Sequence, residues 1–179
     1  MTIVTEKLNL SCDVLYSLKQ FSSCVQNNYE TIPRELVFWL NYSGPEYKVF
    51  SRTALITALK LVKKGKQITF IMSNMLVHKL KGQHLYDKAR KQGITFLRID
   101  SQGDVNVQKK NGKIGFKVKE KTLKNLTISF ESDWLIIPEK RIPGNNYPMI
   151  ARLLKDSLDT EGYLQSANVR HRLTKSPRK

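Results

Sequence analysis

Cysteine is almost missing from this chain. Cys12 and Cys24 are the two present in 179 residues, and neither belongs to a CxxC pair. They offer no disulfide framework and no zinc site, and the expected compartment is a reducing cytoplasm. Long apolar runs are missing as well. No stretch approaches the ~20 residues that a membrane-spanning helix requires, so no membrane span is expected. Residues 1–10 lack the basic start and apolar core of a secretory leader. His78, His84 and His171 show no HExxH or comparable ligand spacing, which leaves no expected metal site. Asp100 and Asp104 flank a glycine turn and read as turn formers, not as an acid/base pair. No Ser/His/Asp arrangement stands out, so no catalytic residue is expected.

Acidic residues are also scarce. Fifteen Asp and Glu face thirty-one Lys and Arg, a formal net charge of +16. Such a balance suits polyanions, acidic protein partners or anionic membrane surfaces. The bland explanation is a lysine-rich solvated surface. The basic residues are spread over Lys60 to Lys66, Lys79 to Lys91, Lys109 to Lys124 and Arg170 to Lys179. They form no single helix-length stripe, and aromatics are not interleaved with them as a single-strand binder requires. Weak binding of polyanions or nucleic acid remains the alternative function.

What is present is an ordinary globular composition, 40% hydrophobic, with clear periodicity after Pro33. Residues 1–34 show weak periodicity and read as an arm or linker. Leu36 to Leu40 is a continuous apolar run of strand length, as expected of a strand buried on both faces. A turn-forming cluster, Asn41 to Pro45, follows. Ser51 reads as the N-cap of a helix whose apolar face carries Ala54, Leu55, Ala58, Leu59 and Val62. Gly65 reads as its terminator. Ile68 to Met72 is a second strand, Gln83 to Gln92 a short helix ended by Gly93, and Ile94 to Ile99 a third strand. The period then changes to two. Asn111-Gly112 marks a hairpin between alternating segments that carry Val105 and Val107, then Ile114, Phe116 and Val118. Leu126, Ile128 and Phe130 alternate again, Trp134 to Ile137 is a buried strand, and a short helix starts near Pro148.

This order, β-α-β-α-β followed by an antiparallel excursion and a return strand, predicts an α/β fold. The class is a Rossmann-like three-layer domain with a parallel sheet and an antiparallel hairpin or meander insertion at about 104–131. The expected domain spans 35–158, and 159–179 is an irregular basic tail.

Particular segments resemble the middle domain of heterodisulfide reductase A-like flavoproteins. Arg34 to Leu40, the loop after it and Ala54 to Leu59 carry the first part of the resemblance. Lys91 to Arg98 is similar to the family's x-x-G-V-x-F-x-R stretch, and Asp133 to Pro138 to its D-L-V-V-L strand. Asp159 to Gln165 and Asn168 to Leu173 resemble later segments of the same domain. The resemblance covers roughly residues 30–179. It implies a non-catalytic domain of a FAD-dependent, pyridine nucleotide-disulfide type oxidoreductase that supports electron transfer or partner docking. Family members begin with a GxGxxG unit for FAD and continue into a G-I-F-x-A-G strand, and neither occurs here. The tail would then lead toward that missing FAD-domain strand, and the chain would be a segment of a longer flavoprotein. FAD, and NAD(P)H where the site is kept, would belong to the parent protein and no cofactor to the isolated chain. The implied partners are the flanking FAD-binding halves or partner redox subunits.

Open α/β sheets bind ligands beyond their strand ends, and the helix expected to start at Ser51 offers free amides to an anion. The candidate ligand site therefore lies at the C-terminal ends of the first two strands, around Ser43, Gly44, Ser51, Ser73 and Asn74. Its features are degenerate. The loop Asn41-Tyr42-Ser43-Gly44-Pro45-Glu46 has one glycine where a pyrophosphate needs several. The second strand ends in Ser73-Asn74 where a ribose-binding Asp or Glu is expected. Relatives place iron–sulfur ligands at positions matching Asn41, Glu46, Phe50 and Ser51, none of which is Cys.

Overall fold

A computed structural model describes residues 13–27, 29–42, 48–74, 79–110, 112–123, 126–139 and 144–154, with Ser157, Leu158, Gly162 and Leu164. The chain divides into two compact units, 1–139 and 140–179.

The first unit is built on a five-stranded parallel sheet: β1 (Leu15–Ser17), β2 (Glu35–Trp39), β3 (Gln67–Met72), β4 (Thr95–Arg98) and β8 (Trp134–Ile137). The order across the sheet is β1-β8-β2-β3-β4, so the apolar run around Leu36 is the central strand. β5 (Val105–Lys110), β6 (Lys113–Glu120) and β7 (Leu126–Ser132) form a separate antiparallel sheet. Helices α1 (Leu18–Asn27), α2 (Lys48–Val62) and α3 (Lys79–Lys91) complete the unit. The expected α/β class with its antiparallel insertion is what the chain adopts.

Alternation along β2 explains the three layers. Leu36, Phe38 and Leu40 point into one core, with Phe21 of α1, Ala54, Leu55 and Ala58 of α2, and Ala89 of α3. Val37 and Trp39 point into a second core, with Ile114, Phe116 and Val118 of β6. Helices α1, α2 and α3 therefore pack on one face of this sheet and the antiparallel sheet on the other. On the helical side Phe38, Phe70 and Phe96 stack across three adjacent strands, with ring centres 5.1 Å apart at each step. Strand register sets this ladder, because Phe38 pairs with Phe70 and Phe70 with Phe96.

Residues 15–27, read from the sequence as part of an arm or linker, form a strand and a helix of the first unit. β1 pairs in parallel with β8, Leu15 opposite Leu135, and α1 packs on the first core through Leu18 and Phe21. Ser17 and Gln20 form a reciprocal capping box at the start of α1: Gln20 N donates to Ser17 Oγ at 3.2 Å, and Ser17 N to Gln20 Oε1 at 3.4 Å. A three-residue strand has too little pattern to be read alone, and its partner lies about 120 residues away along the chain.

α2 and α3 end alike. Gly65 N donates to Val62 O and Lys66 N to Leu61 O, while Gly93 N donates to Arg90 O and Ile94 N to Ala89 O. Both glycines have φ near +80°, the left-handed conformation that this termination needs. In the second unit, α4 (Tyr147–Leu154) buries Ala151 and exposes Met149, Leu153 and Leu154, and Leu158 bridges Leu164.

Candidate functional site

Open α/β sheets bind ligands beyond the C-terminal ends of their strands. At that edge β2 runs out through Trp39 into Asn41 and Tyr42. Trp39 is buried, and its indole N–H must find an acceptor there. It donates to Asn41 Oδ1 at 2.9 Å, and Asn41 Nδ2 donates to Ser73 Oγ at 2.5 Å. The amide of Gln102, in the turn after β4, donates to the carbonyls of Asn41 and Tyr42 at 2.9 and 2.8 Å. The Tyr42 ring meets Trp39 edge-on, and burial pushes its phenol pKa up, so the group is neutral here. Side-chain hydrogen bonds thus tie together the described residues just past the ends of β2, β3 and β4.

The sequence-derived residues fare unevenly. Ser43 and Gly44 lie outside the described residues. Ser73 is bound to Asn41, and Asn74 is exposed just past β3. Ser51 is not the N-cap, because α2 begins at Lys48. It sits in the first turn at the helical spacing of Ala54, Leu55 and Ala58, and that apolar face carries it into the interior with no exposure. Its Oγ has no hydrogen-bond partner among the described residues. No described hydrogen bond joins Ser51 to Ser73 or Asn74. Trp39, Asn41 and Gln102 were not among the expected site residues. A buried Trp followed two residues later by Asn is a usable signal for the first pair. Gln102 carries none, since it lies 61 residues from Asn41.

Asp104 acts as a turn former: its Oδ2 accepts the amides of Ser101 at 2.8 Å and Asp100 at 3.2 Å. The bond from the Ser101 amide leads in holding this carboxyl below its ordinary range. Among the described residues no three His, Cys, Asp or Glu side chains are grouped to hold a metal, and no helix is long and apolar enough to cross a membrane. Cys24 is a free thiol on α1. A cleft of about 450 Å³ opens at the opposite, N-terminal edge of the sheet, with Val37, Thr69, Leu97, Ile128 and Phe130 in its walls. Its charged groups hold strands together: Lys113 Nζ lies 2.7 Å from Glu35 and 3.7 Å from Asp133.

No protein-family model matches this sequence, and no curated protein matches it. Solved structures match its fold. The ornithine N-hydroxylase of Kutzneria sp. 744, solved with reduced FAD, NADP+ and L-ornithine, matches with a TM-score of 0.52 at 10% identity, over 87% of this chain and 47% of that one. The cadaverine monooxygenase of the desferrioxamine pathway of Erwinia amylovora, solved bound to FAD, matches with a TM-score of 0.51 at 10% identity, over 89% of this chain and 46% of that one. The chain therefore spans less than half the length of either enzyme. At such identity the likeness is one of fold, and the fold is Rossmann-like.

Proposed function

We propose that this chain is a non-catalytic, Rossmann-like domain of a FAD-dependent oxidoreductase of the heterodisulfide reductase A-like kind. In this reading the domain holds flanking FAD-binding halves or a partner redox protein in place and turns over no dinucleotide itself. The carrying observation is the hydrogen-bonded crest. Asn41 and Ser73 hydrogen-bond each other where a cofactor would otherwise meet the ends of β2 and β3, and Gln102 bonds the carbonyls beside them. A dinucleotide fits these residues poorly. β3 runs out into Ser73-Asn74 without a carboxylate for the ribose, and the loop that should approach a pyrophosphate has one glycine. FAD belongs, on this proposal, to the halves outside the domain.

The test is calorimetry of the purified chain with NADH and NADPH at low salt, with ATP as the control for general attraction to a +16 protein. Affinity no tighter than about 1 mM is expected. Micromolar NADH binding that ATP does not reproduce would overturn the proposal. So would a stoichiometric flavin or iron–sulfur absorbance in protein purified without added cofactor.

A further inference from the structure

We propose that the helical layer, at the N-terminal edge of the sheet where α2 and α3 end, is a binding surface for the phosphodiester backbone of a nucleic acid. α2 and α3 lie side by side, and each returns through its glycine to the start of β3 or β4. Their C-terminal ends therefore meet at one edge of the sheet. Lys60, Lys63 and Lys64 at one end and Lys88, Arg90 and Lys91 at the other are all exposed. The two helices carry a single carboxylate, Asp87. None of the described ion pairs involves these six cations; the pairs join Lys113 to Glu35 and Asp133, and Lys121 to Asp100.

Aromatic faces partner some of them instead. Lys64 Nζ lies 4.5 Å from the centre of the Tyr29 ring, and the Arg90 guanidinium 5.9 Å from that of Tyr86. A ring face orients a cation without neutralising it. Two stretches of basic sequence, separate along the chain, thus end at the same edge, each with a tyrosine ring against one of its cations. The negative ends of the helix dipoles favour cations in these last turns. That explains why each helix tolerates its own cations. Two such ends at a helix-packing distance of about 8–10 Å still concentrate positive charge that a bound polyanion would relieve.

The surface favours phosphates over an acidic protein. Protein interfaces bury an apolar centre, and the large hydrophobic side chains exposed on the described part of the first unit are Ile56, Leu123 and Leu126, none of them in these helix ends. Contacts to a phosphodiester backbone need no such centre. The surface also lies at the edge opposite the hydrogen-bonded crest, so it is separate from the edge where open α/β sheets bind dinucleotides.

The experiment is fluorescence anisotropy of the full chain with labelled oligouridylate across roughly 50–200 mM salt. Lys63→Gln with Lys91→Gln is compared with Lys117→Gln and Lys119→Gln, which remove equal charge from the exposed face of β6. The helix pair is expected to weaken binding about tenfold at the lowest salt and to lower the log–log salt slope by about 1.4, or ~0.7 for each lost phosphate contact. The sheet pair should change affinity less than about twofold. Deoxyoligonucleotide bound about as tightly as RNA supports backbone recognition; RNA bound far more tightly points to 2′-hydroxyl contacts and overturns it. Equal losses from both pairs, no binding at the lowest salt, or equally effective competition by polyglutamate would each overturn the proposal.

Discussion

The two edges of the parallel sheet are both polar, and they solve opposite problems. At the crest, the described polar groups are bonded to one another: buried Trp39 gives to buried Asn41, Asn41 to half-buried Ser73, and the exposed Gln102 to the backbone beside them. At the base, the cations of α2 and α3 are many, exposed and outside the described ion pairs. Burial decides the difference. A buried donor without an acceptor carries its full desolvation penalty, whereas an exposed lysine is already solvated by water. Polar residues at the crest should therefore govern stability, and those at the base should govern binding.

The largest stability effect is expected at the crest. Asn41→Leu removes the acceptor of the Trp39 indole and the donor to Ser73. It should destabilise the chain by about 1–3 kcal/mol in urea unfolding and leave oligonucleotide affinity unchanged. An unchanged unfolding midpoint would show that these bonds do not hold the crest.

A second staple sharpens the contrast from the antiparallel sheet. Glu120 is 4% exposed and accepts the amides of Arg98 at 3.1 Å and Leu123 at 2.7 Å, with the Thr122 hydroxyl at 2.9 Å. Burial pushes its carboxyl pKa up, but these bonds outweigh burial and hold it below the ordinary range. A carboxyl whose folded pKa is depressed stabilises the fold above its unfolded value, about 4.3, and loses that contribution as pH falls through the folded value. Glu120→Gln should therefore cost about 1–2 kcal/mol at neutral pH. Variant and parent should converge as the pH drops below about 4. A constant gap between pH 7 and pH 3 would assign the loss to packing instead.

The smallest effect belongs to the base. Lys63→Gln should change stability by less than about 0.5 kcal/mol. Relief of repulsion between like charges and loss of the favourable contact with the helix dipole oppose each other, and both shrink as salt screens them. A clear destabilisation would mean that this lysine is structural and would erase the distinction between the edges.

Much of the fold was legible in residue order. A buried strand carries apolar residues on both faces, so Leu36 to Leu40 could be recognised as central, and the change to period two after Ile99 marked the antiparallel sheet. Gly65 and Gly93 marked the ends of their helices for the same local reason. The start of α2 was misplaced because Ser51 suits a cap as well as a tight helix–sheet contact, and the choice between them depends on what faces it. β1 and α1 were missed although Ser17 and Gln20 stand at capping-box spacing. A ten-residue helix with Leu18, Phe21, Cys24 and Val25 as its apolar residues is short, and the three-residue strand before it is too brief to show a period.

The sequence by itself determined the α/β class, the central strand, the antiparallel insertion and the net charge, since these depend on local periodicity and composition. Only the tertiary structure decided which face the helices cover, that Gln102 reaches the end of β2, and that lysines from two helices share one edge with Tyr29 and Tyr86. Each of those depends on residues distant along the chain meeting in space, and neither periodicity nor composition specifies such meetings.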